Sequence, residues 1–156
     1  VSTRGEDAPL SAIDSDFFDV IQVAYSIADQ RMTEKFFPHA KEKNVGVVSR
    51  SALLKGAFTP LREHLSPKLT ELTKCADKAE KIANSLGIDL PTLALRFSLS
   101  NPSISSTLIG TNKIENIRKA VEALEAGPLP QEIIKKLTGL AITDPQQIDP
   151  SKWPKI

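Results

Sequence analysis

The sequence predicts an α/β fold built on a parallel sheet. Two short runs dense in branched apolar residues, 18–25 (FDVIQVAY) and 45–49 (VGVVS), have the composition of strands covered on both faces. A stretch of helical period lies between them, and the same alternation of strand and helix continues to Leu137. That order belongs to strand–helix–strand units, not to a bundle or a sandwich. No repeat of solenoid length and no low-complexity tract breaks it.

The elements follow one by one. In the first strand, Gln22 is a polar residue in an apolar run and needs a hydrogen-bonding partner or a cavity. From Thr33 to Lys43, Phe36, Phe37 and Ala40 return at helical intervals, Pro38 falls in the first turn, and Asn44 ends the helix. The second strand then completes a parallel pair. Beyond a Gly-containing loop, Ser66 and Pro67 supply a cap and a first-turn proline. Leu69, Leu72, Cys75, Ala79, Ile82 and Leu86 then recur every three or four positions up to Gly87. A further helix starts near Asp89, carries Leu93 and Phe97, and stops at Asn101, because Pro102 disfavours helical geometry in the residue before it. Thr107, Leu108 and Ile109 form a third strand. Gly110, Thr111 and Asn112 turn the chain into a helix bearing Ile114, Ile117, Val121 and Leu124, closed by Gly127. Pro130 opens a last helix through Ile133, Ile134 and Leu137. The tail, 144–156, holds Pro145, Pro150 and Pro154 and is expected to be irregular, with Trp153 docked on the body.

Composition narrows the function. With 156 residues, 40% hydrophobic and 25% charged, the chain is one globular unit or part of one. Twenty basic against 19 acidic residues leave a formal charge of +1, which gives no footprint for nucleic acid or an anionic membrane. Any anion must therefore be held locally. The single cysteine, Cys75, excludes an internal disulfide and suits a reducing, cytoplasmic setting. Its helical register with Leu72, Ala79 and Ile82 makes it buried filler. No apolar run approaches the ~18 residues of a membrane span. The opening residues Val1-Ser2-Thr3-Arg4-Gly5 carry no initiator methionine and read as a cut edge.

Neither G-x-G-x-x-G nor G-x-x-x-x-G-K-[ST] occurs, so a nucleotide would need another cradle. In α/β barrels the loops after the last two strands and a helix N-terminus form a phosphate site, because free N–H groups and the helix dipole face the anion. Two loops here have that character, 49–56 (SRSALLKG) and 108–113 (LIGTNK), each directly after a strand.

The ordered set V-S, I-Q-V-x-Y, S-R-S-A-L-x-x-G, L-x-L-R-F-S-L-S-N-P and L-I-G-T-N-K resembles the aldo-keto reductase family over almost the whole chain. The N-P-x-I-S-S-x-L-I-G run is most similar to its sugar and aldose dehydrogenase branch. The resemblance implies a parallel (β/α)8 barrel. This chain would cover roughly the end of strand five to strand eight as residues 1–143, followed by the tail.

By resemblance, Ser2 and Gln22 hold the nicotinamide carboxamide, for which a glutamine both donates and accepts. Thr3 stands where the family usually has asparagine, and an ordinary loop role for Ser2 and Thr3 is the plain alternative. Arg50 falls where a planar group lies against the nicotinamide face, or is a surface arginine. Ser51, Leu53 and Lys55 match the segment around the pyrophosphate, although Lys55 could equally be a solvated loop lysine and Gly56 a turn glycine. Gly110, Thr111 and Asn112 lead to Lys113, the matching reader of the adenosine 2′-phosphate, and Asn116 matches a further ribose-phosphate contact. Lys119 and Ala120 replace the glutamate and asparagine often used for adenine, which implies looser adenine recognition. Tyr25 reads as pocket wall or core, and His39 and His64 as solvated or capping residues.

The implied reaction is reversible hydride transfer between NADP(H) and a carbonyl or sugar substrate. No catalytic residue and no metal ligand is carried by these positions, since the family's tyrosine, lysine, aspartate and histidine belong to the first half of the barrel. A half barrel would leave open strand edges, so the missing N-terminal half is expected as a partner. The competing expectation is a non-catalytic, truncated nucleotide-binding protein or a half-barrel partner protein.

Overall fold

The computed structural model describes residues 1–154. Helix α1 spans Asp7–Asp14, strand β1 Val20–Ala24, helix α2 Phe36–Glu42 and strand β2 Gly46–Arg50. Two 3₁₀ turns, Leu54–Gly56 and Pro60–His64, precede α3 (Thr70–Ser85) and α4 (Leu90–Leu99). Strand β3 is Ser106–Thr107, followed by α5 (Ile114–Glu125), α6 (Gln131–Thr138) and α7 (Pro145–Ile148). The strands pair in parallel in the order β1-β2-β3, with Val20 opposite Gly46 and Val48 opposite Ser106. On the other side of β1, Ser2 bridges Gln22 in parallel, through bonds from Gln22 N–H to Val1 O and from Thr3 N–H to Gln22 O.

The α/β class and the parallel pairing are as expected, and the departures have physical reasons. Helix α1 escaped the sequence reading because its residues are polar at the start and its N-cap, Glu6, makes no side-chain bond. It forms because Pro9, Ala12 and Ile13 bury one face. Strand β1 is shorter than 18–25, although Tyr25 N–H still donates to Arg50 O at 3.1 Å. The third strand was expected at 107–109 but is Ser106–Thr107. Leu108 N–H donates once more to Ser49 O, after which Ile109 leaves the ladder.

Ser66 and Pro67 do not start α3. Ser66 Oγ accepts only from Lys68 N–H at 3.4 Å, and the helix begins at Thr70. Its open N–H groups are satisfied from far along the chain, where Gln147 Oε1 accepts from Glu71 and Leu72 at 3.1 and 3.3 Å. Gln147 belongs to the tail that was expected to be irregular. That expectation fails at α7, because Pro145 sits at the first helical position, where a proline initiates, and Asp144 caps it through Gln146 N–H. Ile148 is fully buried and Trp153 docks, donating from Nε1 to Gln147 O. Lys155 and Ile156, which end the predicted tail, lie outside the described residues.

One face of the sheet is covered, since Ile21, Val23, Val47 and Ser49 are buried, while the alternate residues Val20, Gln22, Ala24, Gly46, Val48 and Arg50 are exposed or half-buried. Phe36, Phe58, Leu72, Leu93 and Leu137 are almost wholly buried in one apolar cluster. Tyr25 belongs to this core, stacked on Phe97 with ring centroids 5.5 Å apart and meeting Phe37 edge-on. Cys75 lies there too, and burial pushes its thiol up to about 12. Helix α5 behaves differently. Among its residues only Ala123 is buried, while Ile114, Ile117, Val121 and Leu124 are each about half exposed or more. Phe17, Val20 and Leu108 are exposed as well.

Candidate functional site

Each parallel strand delivers its C-terminal end to the same side of the sheet, and the candidate residues gather there. The chain start, the end of β1 and the end of β2 are tied at one point. Arg50 donates from Nη2 to Thr3 O at 2.9 Å and from Nη1 to Ser51 Oγ at 3.2 Å. Burial lowers the Arg50 pKa, and the neighbouring charge of Arg4 adds to that. No carboxylate bonds to this guanidinium among the described residues, so it remains a cation able to receive an anion or a π-face.

Ser2 and Gln22 come together as expected. Ser2 Oγ donates to Gln22 Oε1 at 3.1 Å, which leaves the glutamine amide and one lone pair free. Thr3 is buried, and its hydroxyl donates to Gln22 O at 3.0 Å. That bond uses the threonine donor within the backbone. Arg50, Ser51 and Lys55 line a mouth cavity of about 430 Å³, whereas Ser2 and Gln22 do not line it.

The same cavity has walls that the sequence did not reveal. Arg31 donates to both oxygens of Asp29, from Nε at 2.8 Å and from Nη2 at 2.7 Å. Asp29 is 2% exposed, so its charge is buried with its partner. The hydrogen bonds that Arg31 donates to Asp29 are the main reason its pKa is raised. Asp149, Pro150 and Ser151 of the tail form the opposite wall. No spacing in the sequence could have joined positions 29 and 149.

The second cavity is larger, about 790 Å³, and the two strand-end loops face each other across it. Ser51, Leu53, Lys55 and Gly56 line one side, and Gly110, Thr111, Asn112, Lys113 and Asn116 line the other. The first loop is tightly wound. Ser51, Leu54 and Lys55 have φ of 65°, 40° and 50°, in the left-handed region that non-glycine residues adopt at a cost of roughly 1–2 kcal/mol. Gly56 has φ 95°, where an L side chain is strained, and a Cβ there would also press on Leu61 Cβ at 3.2 Å.

The second loop is organised by Thr111, whose Oγ1 accepts from Lys113 N–H at 3.2 Å and from Asn116 Nδ2 at 2.9 Å. Helix α5 opens directly after it, and its N-cap, Lys113, makes no side-chain cap bond. The first N–H groups of a helix lack intrahelical partners, and a lysine beside them is unfavourable against the dipole unless an anion intervenes. The charged side chains lining the cleft are Lys55, Lys113, Lys119 and Asp89, three cations to one carboxylate. Its floor is a small apolar cluster of Ala52, Leu95 and Ala123, with Leu53, Ile109 and Ala120 packed against it.

At the far end, Lys119 Nζ donates to Asp89 Oδ2 at 2.8 Å, while Asp89 Oδ1 accepts from Thr92 N–H and caps α4. Burial raises the Asp89 pKa, but the bonds from Lys119 and Thr92 outweigh it and hold the carboxyl below its usual range. His39 Nε2 lies 3.0 Å from Asp14 Oδ1 and lines neither cavity, and His64 is exposed on a 3₁₀ turn. No group of three or more His, Cys, Asp or Glu is placed to hold a metal ion among the described residues.

A family model described as "Aldo/keto reductase family" matches residues 13–142, and the chain belongs to that family. L-galactose dehydrogenase of Arabidopsis thaliana is 32% identical over 136 residues, covering 83% of this chain and 40% of that protein. The uncharacterized oxidoreductase YqkF of Bacillus subtilis is 30% identical over 128 residues, 75% of this chain and 41% of that protein. The holo form of aldo-keto reductase AKR11C1 from Bacillus halodurans has the same fold over 95% of this chain and 52% of its own, with a TM-score of 0.74 and 23% identity. The chain thus spans about two fifths of the length of these curated relatives.

Proposed function

We propose that this chain supplies the coenzyme-binding part of an NADP(H)-dependent oxidoreductase, one that moves a hydride reversibly between the nicotinamide and a carbonyl or sugar substrate. The observation that carries this reading is the single cleft in which both strand-end loops meet, with Lys55, Lys113 and Lys119 against one carboxylate. The residues fit such a ligand. The left-handed turn at Ser51–Gly56 brings backbone to the cleft wall, and the uncapped start of α5 offers N–H groups to an anion.

In this reading Ser51, Leu53 and Lys55 hold the pyrophosphate, while Gly110, Thr111, Asn112, Lys113 and Asn116 hold the 2′-phosphate and ribose. Ser2, Gln22 and Arg50 orient the ring at the mouth. Bound NADPH supplies the hydride. This chain's own residues contribute binding and orientation, and the proton donor lies elsewhere, because Tyr25 is packed in the core. The chain then corresponds to the end of strand five through strand eight of a (β/α)8 barrel, and an N-terminal half completes it.

Calorimetry on the protein with whatever flanking sequence its gene encodes tests this through Lys113→Glu. NADPH affinity should fall tenfold or more, since ~1.4 kcal/mol is one factor of ten and a charge-assisted phosphate bond is worth about that. NADH affinity should hold steady, and NADPH binding alone should weaken steeply with salt. Equal effects on both coenzymes would overturn the assignment of Lys113. Coenzyme binding without any turnover would favour a non-catalytic nucleotide-binding protein.

A further inference from the structure

We infer that Arg4, on the rim of the mouth cavity, binds a carboxylate at the far end of the substrate, so that the preferred substrate is a short oxo acid. The assignment rests on the proposed oxidoreductase site and deepens it. Arg4 springs from a fixed point. Thr3 is buried and tied to Gln22 O through both its N–H and its hydroxyl, each at 3.0 Å, and its carbonyl accepts from Arg50 Nη2 at 2.9 Å. Gly5, at φ 69°, then turns the chain away toward α1. Between the two, Arg4 is left lining the cavity.

The charges around the mouth do not balance. Arg4, Arg31, Arg50 and Lys55 line it against two carboxylates, Asp29 and Asp149. Both carboxylates are already engaged. Asp29 gives its two oxygens to Arg31, and Asp149 Oδ1 accepts from Ser151 N–H at 3.0 Å and from its hydroxyl at 2.7 Å. In the proposed site Lys55 serves the pyrophosphate and Arg50 the nicotinamide ring, while Arg4 makes no ion pair among the described residues. Glu6 and Asp7, the acidic residues next along the chain, line neither cavity. Arg4 also lies close enough to Arg50 for its charge to add to the lowering of the Arg50 pKa that burial begins. Two guanidinium groups at one cavity repel each other until an anion comes between them. A carboxylate suits Arg4, because the planar fork can donate to both oxygens. The substrate carbonyl must lie against the ring beside Arg50, so a carboxylate at its other end falls to Arg4. At about 430 Å³ the mouth is toward the small end of the roughly 300–1,000 Å³ of ligand pockets, and the ring takes part of it, so the substrate is short.

The test uses the protein with its natural flanking sequence and NADPH, and compares succinic semialdehyde with butanal, which has the same chain and no carboxylate. In both, a hydride from NADPH and one proton reduce the aldehyde to the alcohol. The ratio kcat/KM should favour succinic semialdehyde about tenfold or more, the worth of one charge-assisted bond, with the difference in KM. Arg4→Gln should bring the two substrates within about twofold by raising KM for succinic semialdehyde alone, and Arg4→Lys should keep part of the preference. Butanal turnover and NADPH affinity should hold in both variants. An equal kcat/KM for the two aldehydes in the unmodified protein, or a preference that survives Arg4→Gln, would overturn the inference. Butanoate against butanamide, titrated by nuclear magnetic resonance, reads the same contact without turnover. Butanoate should bind the more tightly to the unmodified protein and lose that advantage in Arg4→Gln. If NADPH does not bind, or neither aldehyde is reduced, the proposed function falls, and the butanoate comparison still decides the role of Arg4.

Discussion

Lys113 and Cys75 show how differently single residues disclose their roles. Lys113 is legible because it combines a strand end, a glycine and a helix start within six positions, and that local order implies free N–H groups at one point in space. Asp89 is not, since it reads as an ordinary N-cap until Lys119 is found 2.8 Å away. Cys75 was expected as filler, and its burial carries a testable consequence. Its thiol is raised from an ordinary 9.0 to about 12, so the folded chain keeps it neutral where the unfolded chain ionises it. The stability it contributes is full below pH 9 and is lost as pH rises toward 12. The melting temperature should therefore fall from pH 8 to pH 10.5 more in the parent than in Cys75→Ala. Equal falls would show that the thiol is not held neutral by burial.

At the scale of elements, the repeat shows a helix in the sequence, whereas its exact start shows only where the capping residue is local. Helix α4 announces itself through Asp89, Pro91 and its apolar repeat. Helix α3 has the repeat but no cap of its own, because Gln147 reaches back from α7 to its first turn. Gln147 also donates to Lys68 O, so one side chain joins the tail to the start of α3. Gln147→Ala should cost about 1 kcal/mol, the usual worth of a helix cap. It should also release the tail, which would appear as faster proteolysis after residue 140 with α6 still protected. An unchanged cleavage rate would mean that Ile148 and Trp153 hold the tail without it.

For the molecule as a whole, the apolar stripe of α5 decides behaviour in solution. Ile114, Ile117, Val121 and Leu124 form one face left in water, and the strand edges beside Val1 and Leu108 are open. Burying such a helix face is worth ~25 cal/mol per Å², so it will be covered by whatever fits it. The relatives are about twice as long as this chain. Residues 1–156 expressed alone should bind a hydrophobic dye and self-associate, and Ile117→Glu with Val121→Glu should suppress both. A monomer that ignores the dye would show that the stripe needs no cover. The sequence by itself determined the α/β class, the parallel order of the strands, the two strand-end loops and the family resemblance. Each of these is written in contiguous residues whose period and punctuation act locally. Only the tertiary structure decided that those loops share one cleft, that Asp89 meets Lys119, that the Asp29–Arg31 pair shares a cavity with Asp149 of the tail and that Gln147 caps α3. Contacts across 30 or more positions depend on how helices stack on a sheet, and no local pattern encodes that stacking.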